Sequence, residues 1–140
     1  MKDLLKKINL FASLTADELE EIQKICLKER IAKDTVIFKE GDAGDRCYII
    51  TAGEVRISKF IPNIGEEALA VLKTGDYFGE MALIGERPRT ASVVADDDLS
   101  VRAFHASEFR RLLSDVPGIA VKVLWVTAER LMDAETAPTH

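Results

Sequence analysis

The spacing of hydrophobic positions changes twice along the chain. Near the amino terminus it is helical: Leu19, Ile22, Ile25 and Cys26 fall on one face, which predicts a helix running from residue 16 to about residue 29. Its start is marked by Thr15-Ala16-Asp17-Glu18, a capping box in which the threonine hydroxyl accepts from the Glu18 amide and the glutamate accepts from the threonine amide. Leu14 and Leu19 flank that cap at the spacing of a hydrophobic staple.

From Thr35 to Phe104 the pattern shortens to β-branched runs separated by glycine, which predicts an antiparallel sandwich or barrel. Candidate strands are Thr35–Phe38, Cys47–Thr51, Glu54–Ser58, Glu67–Leu72, Ala91–Ala95 and Leu99–Phe104. In the third, the two-residue period turns Val55 and Ile57 inward and leaves Arg56 and Ser58 facing water. Gly41, Gly44, Gly53, Gly65 and Gly75 fall between the runs, where turns favour φ values that other residues resist.

After residue 105 the helical period returns. Ser107–Leu113 reads as a short helix, and Pro117 opens a longer one reaching about Met132. Ile119, Val121, Val123, Leu124, Trp125, Val126 and Leu131 nearly encircle its first half, and a helix apolar on more than one face has two neighbours. The sheet is one. A second copy of the chain, giving a homodimer through this helix, competes with simple burial for the other.

At 140 residues, 47% hydrophobic and 31% charged, the chain suits one globular domain. A net charge of -5 opposes attraction to nucleic acid or anionic lipid, so direct nucleic-acid and membrane partners are not expected. Charges interrupt the apolar residues of Met1–Lys7, unlike a secretory signal, and Cys26 and Cys47 lack metal or disulfide spacing, so a reduced cytoplasm and buried thiols are expected. His105 and His140 are too few for a cupin metal centre, and no nucleophile elbow, Walker lysine or catalytic triad is found. The chain is read as a non-enzyme without a catalytic cofactor or metal.

The candidate chemistry lies in Phe78-Gly79-Glu80-Met81-Ala82-Leu83-Ile84 and Arg87-Pro88-Arg89-Thr90-Ala91-Ser92-Val93. Gly79 permits close backbone approach, Glu80 to Leu83 favour one helical turn with free amides, and Arg89 can add a bidentate contact to the same phosphate. An acid beside a phosphate repels it unless the carboxylate accepts from a sugar hydroxyl on the same ligand. Glu80 therefore points to a phosphate attached to a ribose with a free 2′-hydroxyl.

This segment resembles the phosphate-binding cassette of the cyclic nucleotide-binding domain family, as found in catabolite activator protein-like effector domains. Leu10–Thr15, Phe38–Asp45, Ile50–Val55 and the tail from His105 to Met132 are also similar to family motifs. The resemblance implies one domain over 1–140: a jelly-roll β-barrel at about 30–105, with an N-terminal helix and C-terminal helices at about 107–133, binding cyclic AMP or cyclic GMP. It assigns Glu80 to the ribose 2′-hydroxyl, Arg89 to the cyclic phosphate, and backbone contacts to Gly79, Met81 and Ala82. It places Thr90 near the phosphate and, for a syn guanine, near the base. Arg130 and Asp133 stand where base or lid contacts arise, whereas the polar pair expected near Ala134 and Glu135 is not reproduced. Those two residues read as a solvated helix end.

The resemblance leaves the base open, with cyclic AMP favoured. It also leaves open a free-standing sensor, slightly favoured by Met1, against a piece of a transcription factor, kinase or channel with a downstream protein partner. Only eight residues follow Met132, too few for a DNA-binding domain. Interaction modules of the same fold that bind no ligand typically lose the acid or the arginine, and both are kept here. A cyclic dinucleotide would need more room. Ligand binding is expected to draw the cassette and the last helices together, with Trp125 as reporter.

Overall fold

A computed structural model describes residues 1–85 and 88–136, the last three by backbone alone. Helix α1 (Lys2–Lys7), a 3-10 turn (Asn9–Phe11) and α2 (Ala16–Lys24) lead into the strands. These are β1 (Leu27–Ile31), β2 (Val36–Phe38), β3 (Arg46–Ala52), β4 (Val55–Ile61), β5 (Gly65–Leu72), β6 (Tyr77–Phe78), β7 (Ser92–Ala95) and β8 (Leu99–His105). A second 3-10 turn, Glu80–Leu83, separates β6 from β7, and α3 (Ala106–Asp115) and α4 (Pro117–Thr136) close the chain. Among the described residues, no helix is long and apolar enough to cross a membrane.

The strands pair antiparallel in two four-stranded sheets, β1-β8-β3-β6 and β2-β7-β4-β5. The expected jelly roll is therefore two facing sheets, not a continuously closed barrel. Strand β3 shows why the order holds. Tyr48 and Ile50 point between the sheets, where they meet Val55, Val93 and Val101. Cys47 and Ile49 point the other way, into a helical layer built on Phe11, Ile22, Phe109 and Ile119. The two-residue period thus buries this strand on both faces. In the helical layer Phe11 lies 6.0 Å from Phe104 and 5.7 Å from Phe109, centroid to centroid. Each such ring, fully buried, contributes about 1.5–3 kcal/mol.

Thr15 caps α2 as expected, with both capping-box bonds formed, and Leu14 and Leu19 are both buried beside it. The helix does not reach residue 29. It ends at Lys24, and Leu27–Ile31 forms β1 against β8. Leu27 and Ile31 stand four residues apart, a helical spacing, yet the backbone groups of β8 gain a full ladder partner only if this segment extends. Two side-chain expectations are also corrected. Ser58 does not face water freely: it is buried, with Ala68 and Ser92 as its cross-strand neighbours on either side. Gly44 is not in the left-handed region that Gly41, Gly53, Gly65 and Gly75 adopt, so its lack of a side chain has another cause. Both cysteines are buried in the helical-side core. Arg87, Ala134 and Glu135 as side chains, and His140, lie outside the described residues.

The last helix presents two faces. Ile119 and Val123 are buried against the helical layer, while Val121, Leu124, Trp125, Leu131 and Met132 are exposed.

Candidate functional site

Strand β6 ends at Phe78, and Gly79 turns the chain with φ +81° into the Glu80–Leu83 turn. Ala82 and Leu83 are buried and anchor that turn, and the Ala82 amide donates to the Gly79 carbonyl at 3.2 Å. Only glycine fits here: a Cβ would stand 2.8 Å from the Arg46 carbonyl oxygen and 2.7 Å from Arg89 Nη1. The same side chain accounts for Gly44, where a Cβ would lie 2.9 Å from Arg89 Nε. The two glycines leave a slot for one guanidinium.

Arg89 is set in that slot by its backbone. Its amide donates to the Asp42 carbonyl at 2.7 Å, and its own carbonyl accepts from the Gly41 amide at 2.7 Å. A bridge between Ala43 and Pro88 holds the same loop against the chain just before Arg89. Arg89 Nη2 donates to the Arg46 carbonyl at 2.7 Å, and its Cζ lies 4.0 Å from the Phe38 ring centroid. Burial lowers the guanidinium pKa, opposed by nearby Tyr48 and Asp45.

Glu80 projects from the first position of the 3-10 turn, with its side chain 13% exposed. Its Oε1 lies 3.1 Å from Arg130 Nη1, reaching down from α4. That approach is an ion pair without hydrogen-bond geometry, because Arg130 Nη1 is left without a hydrogen-bond partner. Glu80 Oε2 and Arg89 Nε are likewise buried and unpartnered among the described residues. Buried polar atoms left without partners are costly and uncommon, so three near one turn make it the candidate place for a polar ligand.

All six cassette residues singled out from sequence, Gly79, Glu80, Met81, Ala82, Arg89 and Thr90, line one cavity of about 500 Å³. Thr90 and Met81 are exposed at its rim. Arg130 meets the site through Glu80, whereas Asp133 lies exposed on α4 and does not line the cavity. Phe38, Ile57, Leu72 and Val93 supply apolar walls that the motif reading passed over. The inward period of β4 already marked Ile57, but nothing in the sequence tied Phe38 or the Arg46 carbonyl to Arg89. A larger groove of about 870 Å³ lies on the outer face of the β2-β7-β4-β5 sheet. There Glu40 accepts from the Phe60 amide and Arg56 pairs with Asp96.

The cavity offers a cation for an anion, a carboxylate for hydroxyl donors and apolar walls for a flat ring. Burial pushes the Cys26 thiol up to about 12 and raises that of Cys47 as well, which keeps both protonated and inert at neutral pH. Among the described residues no group of three His, Cys, Asp or Glu side chains could hold a metal ion.

A cAMP-dependent protein kinase regulatory subunit from Hypocrea atroviridis is 36% identical over 99% of this chain, which spans 29% of that relative. The cGMP-dependent protein kinase egl-4 from Caenorhabditis briggsae is 29% identical over 81% of the chain, which spans 16% of it. Among solved structures, the N-terminal domain of a transcriptional regulator from Streptomyces coelicolor A3(2) superposes with a TM-score of 0.87 at 30% identity, covering 94% of this chain and 92% of that one. The chain thus spans under a third of either kinase-related relative. The family model for the cyclic nucleotide-binding domain matches residues 28–116, and with the cassette geometry above this chain belongs to that family.

Proposed function

We propose that this chain, over residues 1–140, is a regulatory sensor domain that binds cyclic AMP, with cyclic GMP as the competing ligand, and has no catalytic role. The cyclic phosphate sits against Arg89 and the 80–83 turn, with Gly79, Met81 and Ala82 contributing backbone and Thr90 its hydroxyl. The ribose 2′-hydroxyl donates to Glu80, and the base lies along the apolar walls. One observation carries this reading: buried, unpartnered atoms of Glu80 and Arg89 belong to residues lining the same cavity. Relatives named for cAMP and for cGMP keep both bases in play.

Binding is coupled to α4 through Arg130. A ribose hydroxyl donating to the free Oε2 takes up carboxylate charge that otherwise faces Arg130 at Oε1, and so shifts the balance between positions of the helix toward release of its end, the opposite direction from the drawing-together expected from sequence. In the exposed stripe, Leu124 and Trp125 follow Val121 at three and four residues and Leu131 and Met132 follow them at seven, a heptad spacing that suits pairing with the same helix of a second copy. A downstream protein, reached through the same helix, would read the change.

Parallel calorimetric titrations with cyclic AMP and cyclic GMP, on the native chain and Arg89→Ala, test ligand and site together. The native chain binds cyclic AMP more tightly, and the variant loses about 1.5–3 kcal/mol of binding. No binding of either nucleotide to the native chain, or full affinity in the variant, contradicts the proposal.

A further inference from the structure

Resting on the function proposed above, we infer that Phe38 is a positioning residue for Arg89: its ring, backed by Phe78, holds the guanidinium ready for the anion. An arginine side chain carries large rotamer entropy, and one free to wander must be ordered at the expense of ligand affinity. The usual restraint is a carboxylate. Among the described residues, Asp45 and Asp42 act on Arg89 only through space, and no carboxylate stands within ion-pair distance of it. Its side chain is restrained by one carbonyl, 2.7 Å from Nη2, and by the face of Phe38, 4.0 Å from Cζ. The carbonyl fixes one arm of the fork, and the ring fixes the plane.

The ring is itself supported. Phe38 lies 5.9 Å from Phe78, and Phe78 stacks on Tyr48 at 5.0 Å with 17° between the planes. Phe78 and Tyr48 are both buried, so the column is rooted between the sheets. Gly44 and Gly79, lacking side chains, leave room for the guanidinium in this position. The chemical advantage of a ring over an acid lies in charge. A carboxylate would hold Arg89 but neutralise it, leaving less attraction for a phosphate. A π face attracts the cation through its quadrupole while leaving the full positive charge available.

The test is a double-mutant cycle by calorimetry with cyclic AMP, using Phe38→Leu with Arg89 present and in the Arg89→Ala background. Phe38→Leu keeps apolar bulk and loses the π face. It is expected to weaken binding about 3- to 10-fold with Arg89 present, and to change it less than twofold once Arg89 is gone. Phe38→Tyr should restore native affinity. Equal losses in both backgrounds would mean that Phe38 acts only by lining the cavity, and would overturn the inference. So would no loss at all. If the leucine variant fails to fold, NMR of the ligand-free native chain decides: the Arg89 Nε–H and δ protons must show upfield ring-current shifts, and ordinary shifts overturn the inference. If the native chain binds no nucleotide, the proposed function fails, and the same NMR shifts then judge the positioning by itself.

Discussion

Among the described residues, two cation–glutamate pairs tie helix α4 to the body of the protein, and the two glutamates could hardly be treated more differently. Near its start, Lys122 pairs with Glu18, whose Oε1 also accepts from the Thr15 amide at 2.9 Å within the capping box. Near its end, Arg130 meets Glu80 at 3.1 Å without hydrogen-bond geometry, and the second carboxylate oxygen has no partner among the described residues. Glu18 is satisfied by the fold, whereas Glu80 is incomplete. A buried carboxylate that a fold leaves half-satisfied costs stability, and such a cost persists where a ligand repays it. The same helix therefore carries a fixed end and an end that can be released.

Substituting the two acids should separate these roles. Glu80→Gln is expected to lose about 1.5–3 kcal/mol of cyclic AMP binding in calorimetry while its denaturation midpoint stays within experimental error or rises, because a charge left partly unpaired is removed. Glu18→Ala should do the reverse. It is expected to lose about 1 kcal/mol in chemical denaturation, from the broken capping box and ion pair, and to bind with near-native affinity. If both variants lose stability alike and neither loses binding, the two carboxylates are equivalent and the comparison fails.

Acid should release the fixed end. Burial raises the Glu18 pKa, but bonds from Lys122 and Thr15 outweigh it, so the folded value lies below the ordinary one. A depressed folded pKa means that this carboxylate stabilises the protein above about pH 4.3, its ordinary range, and that the contribution drains away as pH falls through the lower folded value. Denaturation midpoints followed from pH 6 to pH 3 should fall less steeply in Glu18→Gln than in the native chain. Parallel curves would show that Glu18 is not the group responsible.

The smallest change in affinity is expected from Arg130→Gln. Arg130 shares Glu80 with the ligand through the other carboxylate oxygen and leaves the phosphate contacts alone, so cyclic AMP affinity should move by no more than about threefold, within the range of one partly exposed pair. What it should abolish is communication. Trp125 is exposed on α4, and a nucleotide-induced change in its fluorescence in the native chain should disappear in the variant. A response of native size without Arg130 would place the coupling elsewhere.

Much of this was legible in the sequence because it is written locally. The capping box at Thr15 and Glu18, the strand periods and the cassette from Gly79 to Thr90 each depend on residues adjacent in the chain. What could not be read depends on distant partners. The segment Leu27–Ile31 carries helical spacing and becomes a strand only because β8 needs an edge neighbour. Lys122 and Arg130 look alike on the helix, and only the fold shows that one meets a completed carboxylate and the other an incomplete one. Phe38 and Gly44 read as parts of a strand and a turn; their relation to Arg89 arises across some fifty residues of chain, where packing rather than propensity decides.

The most direct test of the incomplete carboxylate compares cyclic AMP with its 2′-deoxy analogue, which keeps the phosphate and the base and lacks only the hydroxyl assigned to Glu80. The native chain should bind the deoxy analogue at least tenfold more weakly, a loss of about 1.4 kcal/mol, and Glu80→Gln should lose most of that discrimination. Equal affinity of the native chain for the two nucleotides would contradict the assignment of Glu80 to the ribose.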